Sequence, residues 1–137
     1  MTIKMSDTVK DARNDAIETA ISTTPMLRIF SGSPPATPAT ADSGTKCLEV
    51  ALPSDFMGAS SGGVKAKAGT WSGTGHANAG AGTNAGHFRI YNAAGTVCHI
   101  QGTITATSGG GDMELDNINI ATGQTVTIST FTLTDGN

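Results

Sequence analysis

The sequence predicts a mainly β chain: a β-sandwich or jelly-roll-like domain of about seven strands with one N-terminal amphipathic helix. Three observations carry that prediction. Apolar residues alternate with Thr, Ser and Asn in short runs broken by Gly and Pro, the pattern of half-buried strands and turns. Helical spacing recurs convincingly only near the start of the chain. Charged residues make up 14% of the 137 positions and aromatics 4%, too little charge for a solvated disordered segment, and the length suffices to bury one core. The expected organisation is an N-terminal helix or arm over 1–25 and a β-sandwich over 26–137 carrying a Pro-rich loop at 31–45.

Residues 6–22 form the predicted helix. Val9, Ala12, Ala16, Ile17, Ala20 and Ile21 share one side, with Lys10, Arg13, Asn14 and Glu18 opposite. Ser6 suits the N-cap, Asp7 the first turn, and Pro25 sets the latest end. The stripe is narrow and Ala-rich. It permits close approach of another backbone but supplies little burial, which fits packing on the domain's own sheet or on another subunit.

The first strand, 26–30, places Leu27 and Ile29 on one face. In the turn-rich stretch 31–45, Pro34, Pro35 and Pro38 disfavour helix and central strand. Their spacing matches PxxP ligands, but three prolines in a polar run more often stiffen a surface loop or an arm that clasps a neighbouring subunit. The strand 46–52 turns Leu48, Val50 and Leu52 inward and ends at Pro53; the strand 64–71 alternates small residues with Lys65 and Lys67 and reads as half-exposed. Residues 73–86 carry too little side chain for a core and read as a loop, flexible unless a partner orders it. A middle hairpin follows: 87–91 alternates about Phe88 and Ile90, 92–95 turns, and 96–104 returns with Cys98, Ile100 and Ile104 on one face.

The C-terminal quarter contains two apolar alternations that slip phase. Met113 and Leu115 are odd before Ile118 and Ile120 turn even; Val126 and Ile128 are even before Phe131 and Leu133 turn odd. A hairpin about 121–125 would set Ile120 opposite Val126, Ile118 opposite Ile128, Leu115 opposite Phe131 and Met113 opposite Leu133 in one register. The buried side would then change near Asp116-Asn117 and Ser129-Thr130, as when a ribbon passes between sheets through bulges.

Charge and chemistry narrow the function. The net charge is −3, and none of the basic residues follows Arg89, whereas Asp112, Glu114, Asp116 and Asp135 do. No basic stripe suits nucleic acid, and no apolar run approaches the roughly 18 residues of a membrane span. Met1 to Met5 leads into polar positions, so no signal peptide is expected. Cys47 and Cys98 make one bridge or none; synthesis in a reducing cytoplasm favours two free buried thiols. His76, His87 and His99 lack the spacing of helix or knuckle metal ligands, although His87 and His99 flank one turn and strands can gather distant residues. Asp112, Glu114 and Asp116 alternate beside a Gly run, which fits a solvent-facing edge better than a calcium site or paired catalytic carboxylates. No nucleophile elbow or phosphate loop is present, and no cofactor is expected. Trp71 and Tyr91, the large amphipathic aromatics, read as core or interface residues rather than a sugar platform.

The succession LRIFSGSPPATPATADSGTKCLEVALP, GTWSGTG, AGHFRIYNAAGTVCHIQGTIT and DMELDNINIATGQTVTISTFTLTDG resembles small virion structural proteins of tailed bacteriophages. The resemblance spans nearly the whole chain. It implies a non-enzymatic shell or tail component, best matched by a capsid decoration, or cement, protein that assembles as a trimer on the head. Its implied partner is the major capsid protein, and its implied place the capsid exterior after assembly in the host cytoplasm. A tail- or vertex-associated structural or receptor-facing module is the alternative. The candidate assembly contacts are Val9, Ala12, Ala16, Ile17 and Ala20 on the helix and Pro34, Pro35 and Pro38 in the Pro-rich loop.

Overall fold

A computed structural model describes residues 3–135. One helix precedes ten short strands: α1 (Asp7–Ile21), β1 (Met26–Ser31), β2 (Lys46–Ala51), β3 (Val64–Ala66), β4 (Trp71–Thr74), β5 (Thr83–Tyr91), β6 (Cys98–Ala106), β7 (Met113–Leu115), β8 (Asn119–Ile120), β9 (Thr125–Ile128) and β10 (Thr132–Thr134). The protein is mainly β and sandwich-like with one N-terminal helix, as predicted. Its strands outnumber the predicted ones because the run 64–71 and both arms of the C-terminal segment each break in two.

The main sheet runs β2-β1-β5-β6-β7, with β8 added to the start of β5. Pairing is antiparallel from β2 to β6, and β7 joins β6 in parallel. Two ribbons, β3–β10 and β4–β9, complete the fold. The inward residues of the main sheet, Leu27, Ile29, Leu48, Phe88 and Ile90, share one core with Trp71, Val126, Ile128 and Phe131 from the ribbon side. Phe131 joins the two sides. Its ring centroid lies 5.3 Å from that of Trp71 and 5.4 Å edge-on from that of Phe88.

The middle hairpin forms as predicted, with Phe88 opposite Gly102 and Ile90 opposite Ile100. Asn92 organises its turn: the side-chain oxygen accepts from the amides of Thr96 and Val97. The C-terminal hairpin pairing does not form. The chain does reverse at Ala121–Gln124, where the Gln124 amide donates to the Ala121 carbonyl at 3.1 Å, but its two arms take other partners. β8 pairs with β5, β9 with β4, β7 with β6 and β10 with β3. So Ile120 and Val126, Ile118 and Ile128, Leu115 and Phe131, and Met113 and Leu133 are not strand partners, although all eight are in the core or packed against it. The phase slips mark strand breaks at which the chain changes neighbour. Alternation reports which side chains point inward; it does not say which edge supplies the hydrogen bonds.

Residues 73–86 are ordered by the chain itself rather than by a partner. Their first two residues belong to β4 and the last four to β5, with a 3₁₀ turn, Ala77–Ala79, between. The His76 amide donates to the Cys47 carbonyl, and the Gly75 amide to the Gln124 carbonyl at 2.7 Å. Gly75 is required there, because a Cβ would land on the Ala121 carbonyl. Small side chains in this run bring backbones together where they were expected to leave a flexible loop.

Candidate assembly surface

Ser6 caps α1, its Oγ accepting from the Val9 amide. The helix lies against β3, and it presents the side opposite to its apolar stripe. Asn14 is buried and donates to Ser60 Oγ; the Asp11 carboxylate accepts from Ser60 Oγ at 2.9 Å and from the Gly63 amide at 2.8 Å. That amide, followed by the Ser60 hydroxyl, holds the Asp11 carboxyl below the usual range. From the strand side comes Lys65, buried at 2% exposure, with its Nζ 2.7 Å from Asp15 and 2.8 Å from Glu18. Burial opposes the Lys65 charge, but the two carboxylates outweigh it and raise the ammonium's pKa. Arg13 adds an ion pair to Asp135 at 3.2 Å. Among the apolar residues of α1 only Ile21 enters the core.

The polar side Lys10, Arg13, Asn14 and Glu18 was expected to face solvent and Lys65 to lie on a half-exposed strand; the structure leaves Arg13 exposed and buries or half-buries the other four. The physical reason is that β3 turns Lys65 rather than Val64 inward, so the surface offered to the helix is cationic and polar. Acidic and amide groups then satisfy it better than alanine methyls do. The consequence is that Val9, Ala12, Ala16 and Ala20 stand exposed on the outer side of the helix, with Ile17 at its edge, where it lines a hollow with Asn14 and Leu133. Val9 is 45% and Ile17 37% exposed.

The Pro-rich segment is a strap folded over the outer face of the main sheet. On β5, Phe88 and Ile90 point into the core, so His87, Arg89 and Tyr91 point outward, and all three are buried beneath residues 32–44. Arg89 organises the cover: its guanidinium donates to Asp42 Oδ1 at 2.5 Å, to the Pro38 carbonyl at 2.6 Å and to the Thr40 carbonyl at 2.9 Å. Gln101 donates to the Pro35 carbonyl at 2.6 Å, and the Tyr91 hydroxyl donates to Asp42. Burial, then the Asp42 carboxylate, push the Tyr91 hydroxyl up to about 12. Arg28 stacks over the Tyr91 ring at 4.4 Å and pairs with Glu49 at 2.6 Å. Pro34 and Pro35 are thus half-buried against their own domain, and Pro38 is exposed with its carbonyl engaged. A cleft of about 700 Å³ separates the strap from the β5–β6 turn; its charged groups Arg28, Asp42 and Arg89 are already paired with one another or with Glu49.

The other residues considered for chemistry serve local structure. Asp112 accepts from the Thr103 amide and hydroxyl, both at 2.8 Å, and Glu114 from the amides of Ser108 and Gly110. Together they fasten the tight turn that lets β7 run parallel to β6. His76 accepts from the Asn78 amide, and His87 lies opposite Thr103, so the β5–β6 register does not join it to His99. Among the described residues no group of three His, Cys, Asp or Glu is arranged to hold a metal ion. Cys47 and Cys98 are free; Cys47 is buried and Cys98 half-buried. Trp71 and Tyr91 are both buried. No described helix is long and apolar enough to cross a membrane.

Sequence reasoning missed Arg89 and Lys65 as organising residues. The alternation His87-Phe88-Arg89-Ile90-Tyr91 was the available signal, since a strand with two rings and a guanidinium on its second face has much to cover. Comparison with family models, with curated proteins and with solved structures finds no match to this chain.

Proposed function

We propose that this chain is a non-enzymatic structural subunit of a tailed-bacteriophage particle, a capsid decoration protein that binds the head lattice as a trimer and stabilises it. Its partner in this reading is the major capsid protein, on the capsid exterior. The observation that carries the proposal is the mounting of α1, whose polar side is consumed by its own domain and whose apolar side faces outward. Scattered exposed apolar residues are ordinary; four on the outer stripe of a helix docked by the other side, with Ile17 at its edge, form a surface that the monomer leaves unused. The carboxylates of Asp112 and Glu114, bonded to backbone amides, lend support by being occupied in turns.

The energetics fit avidity. The 15 residues of α1 span about 22 Å at ~1.5 Å per residue, and a stripe ~10 Å wide offers roughly 200 Å², well below the ~800 Å² per partner of a stable interface. One helix therefore binds weakly, and a trimer on a repeating lattice binds through multiplied contacts. The test is the copy number of this chain relative to the major shell protein in purified particles, with imaging of the same sample. Copies on the order of hundreds over the head lattice are expected; a handful at the tail or a vertex would replace the decoration reading with an attachment module.

A further inference from the structure

We propose that residues 32–44 are an acid-released strap, held closed on the outer face of the main sheet while the His87 imidazole is neutral and lifted when that ring gains a second proton. His87 is fully buried, stacked on Phe30 with ring centroids 5.3 Å apart and planes 15° from parallel. Its Nδ1 lies 2.9 Å from the Gly32 carbonyl, at the root of the strap. A carbonyl oxygen only accepts, so Nδ1 carries the proton and Nε2 is a bare lone pair. Nε2 is buried with no hydrogen-bond partner among the described residues. The approach is close: a Cβ on Gly86 would strike the Gly32 carbonyl, so the strap's root sits directly on β5.

A second proton would place an N–H with no acceptor among the described residues, and a full charge, in this buried contact. The charged neighbours are Arg89 on the same strand and Asp42 from the strap, which act in opposite directions. The stacked neighbour from β1 is Phe30, and the residue in register on β6 is Thr103, behind which Asp112 is bonded; Asp42 is itself engaged by Arg89, Arg28 and Tyr91. Burial and Arg89 together hold the imidazole's pKa below its ordinary 6.5, against the Gly32 carbonyl and Asp42. The open strap returns the ring to water and to that ordinary value. Closure is therefore fully favoured above pH 6.5 and weakens as the pH falls below it. Opening would uncover Phe30 and Tyr91, two rings that are buried in the closed state.

The experiment is amide hydrogen exchange on the full chain from about pH 7.5 to about pH 5, with rates corrected for intrinsic exchange and strap amides referred to central β5–β6 amides. The Thr40 amide, bonded to the Thr37 carbonyl, reports the strap's own turn, and the Ser31 and Thr45 amides, bonded to the Thr45 carbonyl and Ser31 Oγ, report its two ends; closure onto the sheet is reported by the Gln101 side-chain amide and Arg89 guanidinium protons, which donate to the carbonyls of Pro35, Pro38 and Thr40. The strap's opening constant should rise by a factor approaching about tenfold per pH unit below the ordinary histidine range while the reference amides hold. In His87→Phe, which keeps the stack on Phe30 but cannot be protonated, that slope should vanish. A flat wild-type profile or an equal slope in His87→Phe would each overturn the proposal. Should His87→Phe fail to fold, NMR titration of the wild-type ring decides: titration at or above 6.5 with strap amides still protected overturns it, and a depressed titration that coincides with strap exchange supports it.

Discussion

Two buried cations, Lys65 and Arg89, each hold a separate piece of chain against the β framework, and neither is paired in the manner of a surface salt bridge. Arg89 is 1% exposed and satisfies one carboxylate and two strap carbonyls. Arg89→Ala should cost about 2–3 kcal/mol in urea unfolding, because it empties a buried site and leaves two strap carbonyls without their donor, while Asp42 keeps Arg28 and Tyr91. Arg89→Lys should recover only part, since an ammonium does not reproduce the planar fork; full recovery would mean that charge alone matters. Carboxylates held by amide, hydroxyl or cationic donors give a second prediction. The Thr103 amide and hydroxyl lower Asp112, the Lys46 ammonium, followed by Arg28, lowers Glu49, and the Gly63 amide with Ser60 lowers Asp11. A depressed carboxyl adds stability above its ordinary value, 3.8 for Asp and 4.5 for Glu, and loses it as pH falls through the folded value. Urea midpoints should therefore decline below about pH 4.5, and Asp112→Asn should flatten part of that decline. An unchanged acid limb in Asp112→Asn would remove this turn from the explanation.

At the scale of elements, α1 separates fold from assembly. Ala16 lies mid-stripe and exposed, so Ala16→Glu should alter the stability of the isolated chain by no more than about 0.5 kcal/mol. Under the decoration reading the same change should weaken particle binding at least about tenfold, measured by co-sedimentation with stripped heads, because avidity amplifies each lost contact. Wild-type binding by Ala16→Glu would move assembly to another surface. A point change is a cleaner probe than removing residues 1–24, which would also take Ile21 from the core. The helix itself was legible: Ser6, the apolar repeat and Pro25 place it within a residue of its bounds at Asp7–Ile21. Its orientation was not legible, because the face that packs depends on what β3 offers, and the burial of Lys65 instead of Val64 reverses an ordinary amphipathic rule. The strap follows the same logic. Three prolines announce an extended loop, whereas its attachment depends on Arg89, distant in sequence and visible only as an odd residue in a strand.

For the whole molecule, the positions of the C-terminal breaks were legible and the partners were not, because three of four short segments complete edges made much earlier in the chain and the fourth, β7, turns back in parallel onto β6. β10 closes onto β3, β9 onto β4, β8 onto β5 and β7 onto β6. The resulting connectivity makes the ribbons and the main sheet interdependent: apart from the Ser61–Val64 bridge, neither β3 nor β4 has a strand partner until residues beyond Gln124 are in place. Phe131 is where this dependence becomes packing, 5% exposed between Trp71 and Phe88. Phe131→Ala should cost about 3–5 kcal/mol, the range for emptying a large aromatic site. The form of unfolding tests the argument further. Trp71 fluorescence reports the ribbon side and far-UV circular dichroism the whole sheet content, so in the wild type and in Phe131→Ala the two transitions should coincide at a lowered midpoint in the variant. A fluorescence transition that precedes the dichroism transition would show that the ribbons open while the main sheet persists, and would replace one cooperative sandwich with a sheet carrying a separable cover.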